Sequence, residues 1–470
     1  MTRRSTRALA ALRRAGLATA APLLRWRHRG ASVVHHRPLP QAQPRELEGY
    51  ASRVWAESGV PRAFHLRSPH ADNALVVERY AGHGEHDARF EPVARVPFGA
   101  SQPEVPRDAP SDGCRWPVTL TLDTAGWRQG TYRATTEAPD ADAEDIRQSA
   151  VTFLVGPAEP GARVAVLAPV TTWAAYNPYG GKSLYHNEID DTTPVYAHTH
   201  RPNPALGWEA VGAMHALAAE APAFAWTDRE VGADLYPDWA LEHPDRLAGY
   251  DVVVLAYHCE YASDAMRDGL DRLVAGGASL LALGGNQLYW RARWDAEHTR
   301  LECRKDGSRF LAGGRGGLWR RRGRPEDEVL GVRFTAPGTG TYAPYRVEDA
   351  SHWLFAGLDV ADGDLFGQSG TTPLPICGDE TDAPTWLTRG TAHVVARGLN
   401  RPDAIDGDYT LWQPRTPAWD GSAGGTIALT TLSTNQAVLA TGAIHSPSGL
   451  GADPVFSHLV RRFLERYAAA

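Results

Sequence analysis

The chain has 470 residues, an apolar fraction of 43% and a net charge of −7, all ordinary for a globular protein with two or three domains. The negative balance leaves no basic footprint for nucleic acid. No run of 18 apolar residues is present, so we expect no membrane span.

The first 44 residues are rich in arginine and alanine and predict a poorly ordered tail. Arg3 and Arg4 suit a twin-arginine export signal, but later arginines interrupt every apolar stretch that would have to follow them. We therefore expect a cytoplasmic protein and keep export as the alternative.

Residues 45–157 show short alternating apolar runs separated by turn-forming residues, a pattern that predicts a β-sandwich of the immunoglobulin type. The runs are Ala63–Leu66, Ala74–Val77, Val118–Leu122 and Val151–Val155. A proline- and glycine-rich segment at 156–161 predicts the boundary to a second domain, which covers residues 162–470.

The second domain opens with three continuous apolar runs that predict buried strands, at Val164–Ala168, Asp251–Ala256 and Ser279–Leu283. Between them the pattern predicts helices at Leu206–Ala219 and Ser263–Val274, with Ser263 as an N-cap, and another strand at Phe224–Trp226 with its exit at Asp234–Tyr236. Two more strands within Ile427–Ala443 and an amphipathic helix at Asp453–Tyr467 follow. This alternation predicts an α/β domain with a doubly wound, mostly parallel sheet, similar to class I glutamine amidotransferases.

Ligands of an open α/β sheet bind beyond the carboxyl ends of its strands. The three buried strands lead into segments 171–185, 257–261 and 284–290, which are all rich in aromatic and polar residues. Because parallel strands bring these segments to one edge of the sheet, the sequence predicts an active site there.

Three motifs in these segments resemble a known family. They are Tyr-Asn-x-x-Gly-Gly-x-Ser-x-Tyr at 176–185, His-x-Glu-Tyr at 258–261 and Gly-Gly-Asn-x-x-Tyr-Trp-Arg at 284–291. In this order they resemble the catalytic domain of the large subunit of N,N-dimethylformamidase. The resemblance runs from about Leu47 to the end of the chain, because Glu48–Ser52 and Gly130–Tyr132 resemble the preceding β-sandwich. It implies a hydrolase that cleaves the carbon–nitrogen bond of a small linear amide.

The resemblance also implies a mononuclear ferric iron held by two tyrosines and one glutamate. In this chain the ligands would be Tyr132, Tyr176 and Glu260. Ferric iron is a hard Lewis acid that favours phenolate and carboxylate oxygens. It would polarise the amide carbonyl and activate a water molecule. Because Tyr132 belongs to the first domain, the site would lie between the domains.

Four further residues take catalytic roles by the same resemblance. His258 or Glu380 would move protons between the water and the leaving amine. Asn286 and Lys305 would hold the substrate oxygen. Lys305 is one of only two lysines in an arginine-rich chain, which favours a role for a compact, titratable ammonium group. Each of these side chains also has an ordinary structural interpretation, as a strand-end residue, a loop acid or a solvated lysine.

The expected partner is a small amide substrate, and the resemblance leaves open a small accessory subunit or a homo-oligomer. The alternative from another functional class is a non-catalytic module that binds a carbohydrate or glycoconjugate in the aromatic-rich cleft. Loss of Glu260 separates the two, because an iron enzyme should lose its metal and its activity together whereas a binding module should tolerate the change.

Cysteine and histidine residues offer two other possibilities. Cys259 lies between His258 and Glu260 and allows a cysteine-dependent, amidotransferase-like reaction. Neighbours on an extended turn point apart, however, so a buried and inert cysteine is favoured. A zinc site has histidine candidates but no third ligand at a suitable spacing. These candidates are His186, His198 and His200.

Overall fold

The structure is a computed structural model. It describes residues 47–83, 88–136, 150–185, 187, 189–190, 192–203, 220–335, 340–385, 388, 391–400 and 424–468. The predicted N-terminal tail and the predicted helix Leu206–Ala219 lie outside these ranges.

The N-terminal part consists of two sheets that share a core. Its strands are β1 (Glu48–Ala51), β2 (Trp55–Glu57), β3 (Arg62–Arg67), β4 (Asn73–His83), β5 (Ala88–Phe98), β6 (Leu120–Leu122), β7 (Gly130–Thr136) and β8 (Val151–Gly156). One sheet has the order β1-β3-β6 and the other β2-β8-β7-β4-β5. Buried side chains from both sheets, among them Phe64, Leu75 and Phe153, form one hydrophobic cluster. All four predicted runs overlap strands of these sheets. The immunoglobulin type and the domain boundary stay predictions.

The remaining strands are numbered on from the sandwich. They are β9 (Val164–Ala168), β10 (Tyr196–His198), β11 (Asp234–Pro237), β12 (Val252–Tyr257), β13 (Tyr261–Ala262), β14 (Ser279–Gly284), β15 (Trp290–Trp294), β16 (Arg300–Cys303), β17 (Arg333–Phe334), β18 (Thr341–Ala343), β19 (Tyr345–Val347), β20 (Leu365–Phe366), β21 (Cys377–Asp379), β22 (Asp382–Ala383), β23 (Ala392–Gly398), β24 (Thr426–Ser433) and β25 (Gln436–Ala440).

The helices are fewer and mostly short. They are α1 (Ala109–Asp112), α2 (Val170–Tyr176), α3 (Glu220–Val231), α4 (Pro244–Leu247), α5 (Asp264–Ala275), α6 (Asp327–Leu330) and α7 (Pro454–Tyr467), with 3₁₀ turns at Asp238–Glu242, Trp319–Arg322, Trp353–Phe355 and Ser446–Gly449. Ser263 caps α5 as predicted, since its hydroxyl accepts a hydrogen bond from the Met266 amide. None of the helices in the described ranges is long and apolar enough to cross a membrane.

The largest sheet has nine strands in the order β11-β9-β12-β14-β25-β24-β23-β19-β20. Neighbours from β11 to β25 are parallel, and neighbours from β25 to β20 are antiparallel. The prediction of a doubly wound, mostly parallel α/β domain of the amidotransferase type was therefore wrong. Within the described ranges the protein is mostly β, with six sheets, and its main sheet is mixed.

The error has a local cause. Continuous apolar runs correctly located β9, β12 and β14, but the region after Leu301 supplies many strands of only two or three residues. Runs that short carry too little periodicity to be recognised. The predicted strand Phe224–Trp226 was also wrong, because these residues lie inside α3.

Candidate active site

The loops that follow β9, β12 and β14 meet at one edge of the main sheet. The paired residues Tyr257 and Gly284 end β12 and β14, so the chain leaves both strands at the same level. The hydroxyl of Thr172, in α2, donates to the His258 carbonyl (2.7 Å) and accepts from the Glu260 amide (3.1 Å). The segments after β9 and β12 are thereby joined.

Glu260 is a buried carboxylate, with only 2% of its surface exposed. Its Oε1 accepts a hydrogen bond from the Tyr185 hydroxyl. Its Oε2 lies 3.5 Å from His258 Nε2 and accepts no hydrogen bond. Burial opposes ionisation, but His258 and Lys305 outweigh it and hold the pKa of Glu260 below its ordinary value. Glu260 is therefore an ionised carboxylate with one oxygen that accepts no hydrogen bond, in a buried site.

His258 stands at the centre of the cluster. Its Nδ1 donates to the Gly285 carbonyl (3.0 Å). Its Nε2 faces three oxygens, the Tyr176 hydroxyl at 3.3 Å, Glu260 Oε2 at 3.5 Å and Glu380 Oε2 at 3.9 Å. Burial favours the neutral ring, yet the hydrogen bond and charge of Glu260, with a smaller effect of Glu380, raise the pKa of His258 to about 9.

Tyr176 and Tyr185 pack side by side, with ring centres 4.6 Å apart. Burial, followed by the charge of Glu260, raises the pKa of both phenols well above the ordinary value. Both hydroxyl groups are therefore protonated at neutral pH. The Tyr176 hydroxyl lies 3.3 Å from His258 Nε2, and the Tyr185 hydroxyl donates to Glu260 Oε1.

Lys305 places a cation against these rings. Its Nζ lies 3.0 Å from the centre of the Tyr185 ring, 5.1 Å from that of Trp290 and 5.4 Å from that of Tyr261. The nitrogen is buried and has no hydrogen-bond partner. Burial lowers the pKa of Lys305 to about 8, and the charge of Glu260 opposes this shift.

Glu380 and Asn286 complete the cluster. Asn286 Nδ2 donates to Glu380 Oε2 (2.7 Å), whereas Asn286 Oδ1 has no partner. Burial raises the pKa of Glu380 to about 8, against the opposing charge of His258. Glu380 is therefore mostly a neutral acid at pH 7 and is able to donate a proton.

The backbone is strained at three points around this cluster. Tyr257, Asn286 and Asp379 adopt positive φ angles of 65°, 45° and 70°, which residues other than glycine rarely adopt. Tyr257 and Asp379 directly precede His258 and Glu380. Such strain persists only where the surrounding structure holds it, and it is concentrated at functional sites.

Comparison of the chain with known proteins shows which family it belongs to. The family model described as "N,N-dimethylformamidase beta subunit-like, C-terminal" matches residues 77–458. The chain belongs to this family. No curated protein matches the chain. One solved structure that matches is a Paenibacillus sp. cycloisomaltooligosaccharide glucanotransferase complexed with cycloisomaltoheptaose, with 10% identity over 52% of this chain. The chain spans 28% of that enzyme, and the TM-score of 0.14 is too low to bear on fold or function.

Six of the seven residues predicted from the resemblance to dimethylformamidases lie together. They are Tyr176, His258, Glu260, Asn286, Lys305 and Glu380. The structure does not bring Tyr132 to them. The Tyr132 ring stacks on Trp127 and Phe153 in the core of the sandwich, and its hydroxyl donates to the Arg128 carbonyl (2.5 Å).

Of the cysteine and histidine residues considered for a cysteine-dependent reaction or a zinc site, those that the structure describes lie in the hydrophobic core or form hydrogen bonds with the backbone. Cys259 is buried in the hydrophobic core, with its Sγ 3.7 Å from the Ala256 carbonyl. His200 Nε2 donates to the Ser52 carbonyl (2.8 Å), and His198 Nδ1 accepts from the His200 amide (3.0 Å). His186 lies outside the described residues.

Sequence reasoning missed Tyr185 and Thr172 as site residues. Tyr185 ends the motif that begins with Tyr176, so a second tyrosine at a fixed spacing was a usable signal. Thr172 gave none, because its role depends on the distance between α2 and the loop after β12.

The donor set suits a hard cation. In the part of the chain that the structure describes, no group of three or more His, Cys, Asp or Glu side chains could hold a metal ion. The Tyr176 hydroxyl and Glu260 Oε2 nevertheless both face His258 Nε2, and the Tyr185 hydroxyl donates to Glu260 Oε1. Two phenols and one carboxylate are also the ligand types that the dimethylformamidase resemblance implies, although the resemblance names Tyr132 and not Tyr185.

Proposed function

We propose that this protein hydrolyses the carbon–nitrogen bond of a small amide. The observation that carries the proposal is a set of three buried polar atoms without hydrogen-bond partners in one cluster, Glu260 Oε2, Asn286 Oδ1 and Lys305 Nζ. A buried polar group without a partner is costly to the folded state, so such atoms are expected where a ligand supplies the missing contact. Membership of the dimethylformamidase-like family supports an amide as that ligand.

A ferric iron held by Tyr176, Tyr185 and Glu260 is part of the proposal. When bound, such an ion supplies Lewis acidity to a carbonyl oxygen and acidity to a coordinated water molecule. The described residues favour a cation here because Glu260 is ionised and presents a free oxygen, and because the two phenols can each lose a proton to a bound metal.

The remaining side chains divide the work of hydrolysis. Water adds to the carbonyl carbon, the carbonyl oxygen takes up negative charge, and the carbon–nitrogen bond breaks as the nitrogen receives a proton. Lys305 has an ammonium group without a hydrogen-bond partner, and it would stabilise the charge on oxygen. Glu380 is a neutral acid at pH 7 and is suited to donate the proton to nitrogen. His258 Nε2 lies 3.9 Å from Glu380 Oε2, so proton exchange between them would require the two groups to approach to hydrogen-bond distance.

The first test is metal content, absorption spectrum and amine release for the wild type and Glu260→Gln. We expect stoichiometric iron, a visible tyrosinate-to-iron band and amine release from a panel of small amides, all lost in Glu260→Gln. Glu326→Gln is the matched control, because Glu326 is equally buried but pairs with Arg320 instead. This control should keep all three signals.

Two results would count against the proposal. A wild-type protein that binds no iron after ferric or ferrous reconstitution would remove the metal. If it also released no amine from any amide, the alternative of a carbohydrate or glycoconjugate-binding module would gain weight, and a glycan array would test it.

A further inference from the structure

Asp382 is a buried carboxyl group that the proposed reaction does not use. Only 2% of its surface is exposed, and in the described residues it forms no ion pair. Both of its side-chain oxygens accept the backbone N–H of Asn286, at 2.9 and 3.0 Å. Burying a carboxyl group costs free energy, and one hydrogen-bonded amide offsets little of that cost. The position of Asp382 therefore suggests a role beyond accepting this hydrogen bond.

The amide that Asp382 binds belongs to a tightly constrained turn. Asn286 has a φ of 45°, in the left-handed region. A Cβ on the preceding Gly285 would lie 2.7 Å from the Ile444 nitrogen and 2.9 Å from the Glu380 carbonyl oxygen. The turn is thus packed against the segment that carries Glu380, and the direction of the Asn286 N–H is fixed by its acceptor.

The same turn orients two proton-handling groups. The Gly285 carbonyl accepts from His258 Nδ1 (3.0 Å), which directs Nε2 toward Tyr176, Glu260 and Glu380. The Asn286 side chain donates to Glu380 Oε2 (2.7 Å). A small rotation of the turn would therefore disturb His258 and Glu380 together.

We propose that Asp382 is a positioning residue, whose carboxyl group locks the Gly285–Asn286 turn and thereby fixes the orientation of His258 and Glu380. Among the described residues its carboxyl oxygens accept from the Asn286 amide and from none of the proposed iron ligands. The expected effect on turnover rests on the proposed function. The effect of Asp382 on the orientation of His258 can be measured without turnover.

The test compares Asp382→Ala with Asp382→Asn in the full-length chain. The alanine variant removes the acceptor, so kcat for amine release should fall about 10- to 100-fold while KM changes less than about threefold. The asparagine variant keeps one acceptor oxygen and should recover most of the loss. Asp382→Ser, whose hydroxyl is too short to replace the carboxyl group, serves with the same expected losses where the alanine variant does not fold.

The matched control is Asp234→Ala. Asp234 is also buried and accepts two backbone amides, those of Gly161 and Ala162, but it lies at the amino end of β11, away from the site. It should lose stability without the change in kcat. An equal fall in kcat for both variants would overturn the proposal.

The second measurement is the His258 Nδ1–H proton signal in ¹⁵N-histidine-labelled, iron-free protein, assigned with His258→Gln. We expect a slowly exchanging signal in the wild type and in Asp234→Ala, and its loss in Asp382→Ala. A rapidly exchanging proton in the wild type, or an unchanged signal in Asp382→Ala, would overturn the proposal. If the wild type releases no amine, the proposed function fails and this measurement still decides the role of Asp382.

Discussion

The ammonium group of Lys305 lies 3.0 Å from the centre of the Tyr185 ring and has no hydrogen-bond partner. A cation over the face of an aromatic ring is attracted by the ring, and more strongly where water is excluded. This contact with the ring holds the ammonium group of Lys305 near Glu260, and burying the charged group costs free energy. Such a charge is more useful to a reaction that develops negative charge than to folding.

Replacing Lys305 by methionine should separate activity from stability. We expect kcat/KM for amide hydrolysis to fall by about 100-fold or more, as for the loss of one stabilising donor to an oxyanion. The melting temperature should stay equal or rise, since an apolar side chain avoids burying a charge. Lys182→Met is the control, because Lys182 is the other lysine and pairs with Asp190 at the surface. Its kcat/KM should stay within about twofold of the wild type, and a Lys305→Met enzyme of normal activity would refute the assignment.

The two possible ligand sets, one with Tyr185 and one with Tyr132, make opposite predictions for iron binding. Tyr185 contacts Glu260, whereas the Tyr132 hydroxyl is bound to the Arg128 carbonyl inside the sandwich. Tyr185→Phe should therefore lose bound iron and weaken the visible band, and Tyr132→Phe should keep both. Iron analysis and absorption spectra of the two variants check this. Loss of iron from Tyr132→Phe alone would restore the ligand set implied by the resemblance.

The position of the site could be predicted because it follows from strands that are easily recognised. His258 and Glu260 follow β12 and Asn286 follows β14, and both strands are continuous apolar runs whose parallel pairing carries their ends to one edge. Glu380 joins them through long-range packing, in which its carbonyl accepts from the Ile444 amide. No local sequence pattern predicts that contact, so Glu380 was assigned to the site only from the family resemblance.

The tyrosines show the limit of sequence patterns at this site. Six of the seven residues of β7 are buried, Tyr132 among them, and nothing in the strand's sequence says which other residues its packing brings near. Tyr185 had the same residue type and a better position, yet only the packing of the Tyr176 and Tyr185 rings distinguishes the two candidates. Asp382 was equally hidden, because its acceptor role depends on the direction of one backbone amide.

Stability should depend on pH through Asp238. This carboxyl group is completely buried and accepts from the amide and hydroxyl of Thr171 and from the Trp239 amide. Burial raises its pKa to about 7 despite these bonds. A raised carboxyl pKa means that the folded state holds the proton more tightly than the unfolded chain, whose pKa is about 4. The contribution is therefore complete below about pH 4 and is lost as the pH rises through about 7.

The variant Asp238→Asn tests this linkage, because asparagine does not ionise. The free energy of unfolding of the variant, relative to the wild type, should increase between pH 4 and pH 8 by a few kcal/mol, on the order expected for a shift of this size. Urea unfolding at several pH values measures the difference. Asp245→Asn, at an exposed position of α4, is the control for the loss of one carboxyl group. A flat difference for Asp238→Asn would contradict the linkage.

The parallel half of the main sheet should carry much of the stability of the protein. Leu167 is fully buried in β9, between β11 and β12, whereas Leu311 is 78% exposed. Leu167→Ala removes buried apolar surface and leaves a cavity, so it should lower the free energy of unfolding by about 2–5 kcal/mol. Leu311→Ala should change it by less than about 0.5 kcal/mol. Equal effects of the two substitutions in urea unfolding would show that the apolar contacts of β9 do not hold the fold, and would undermine the placement of the site at the end of that strand.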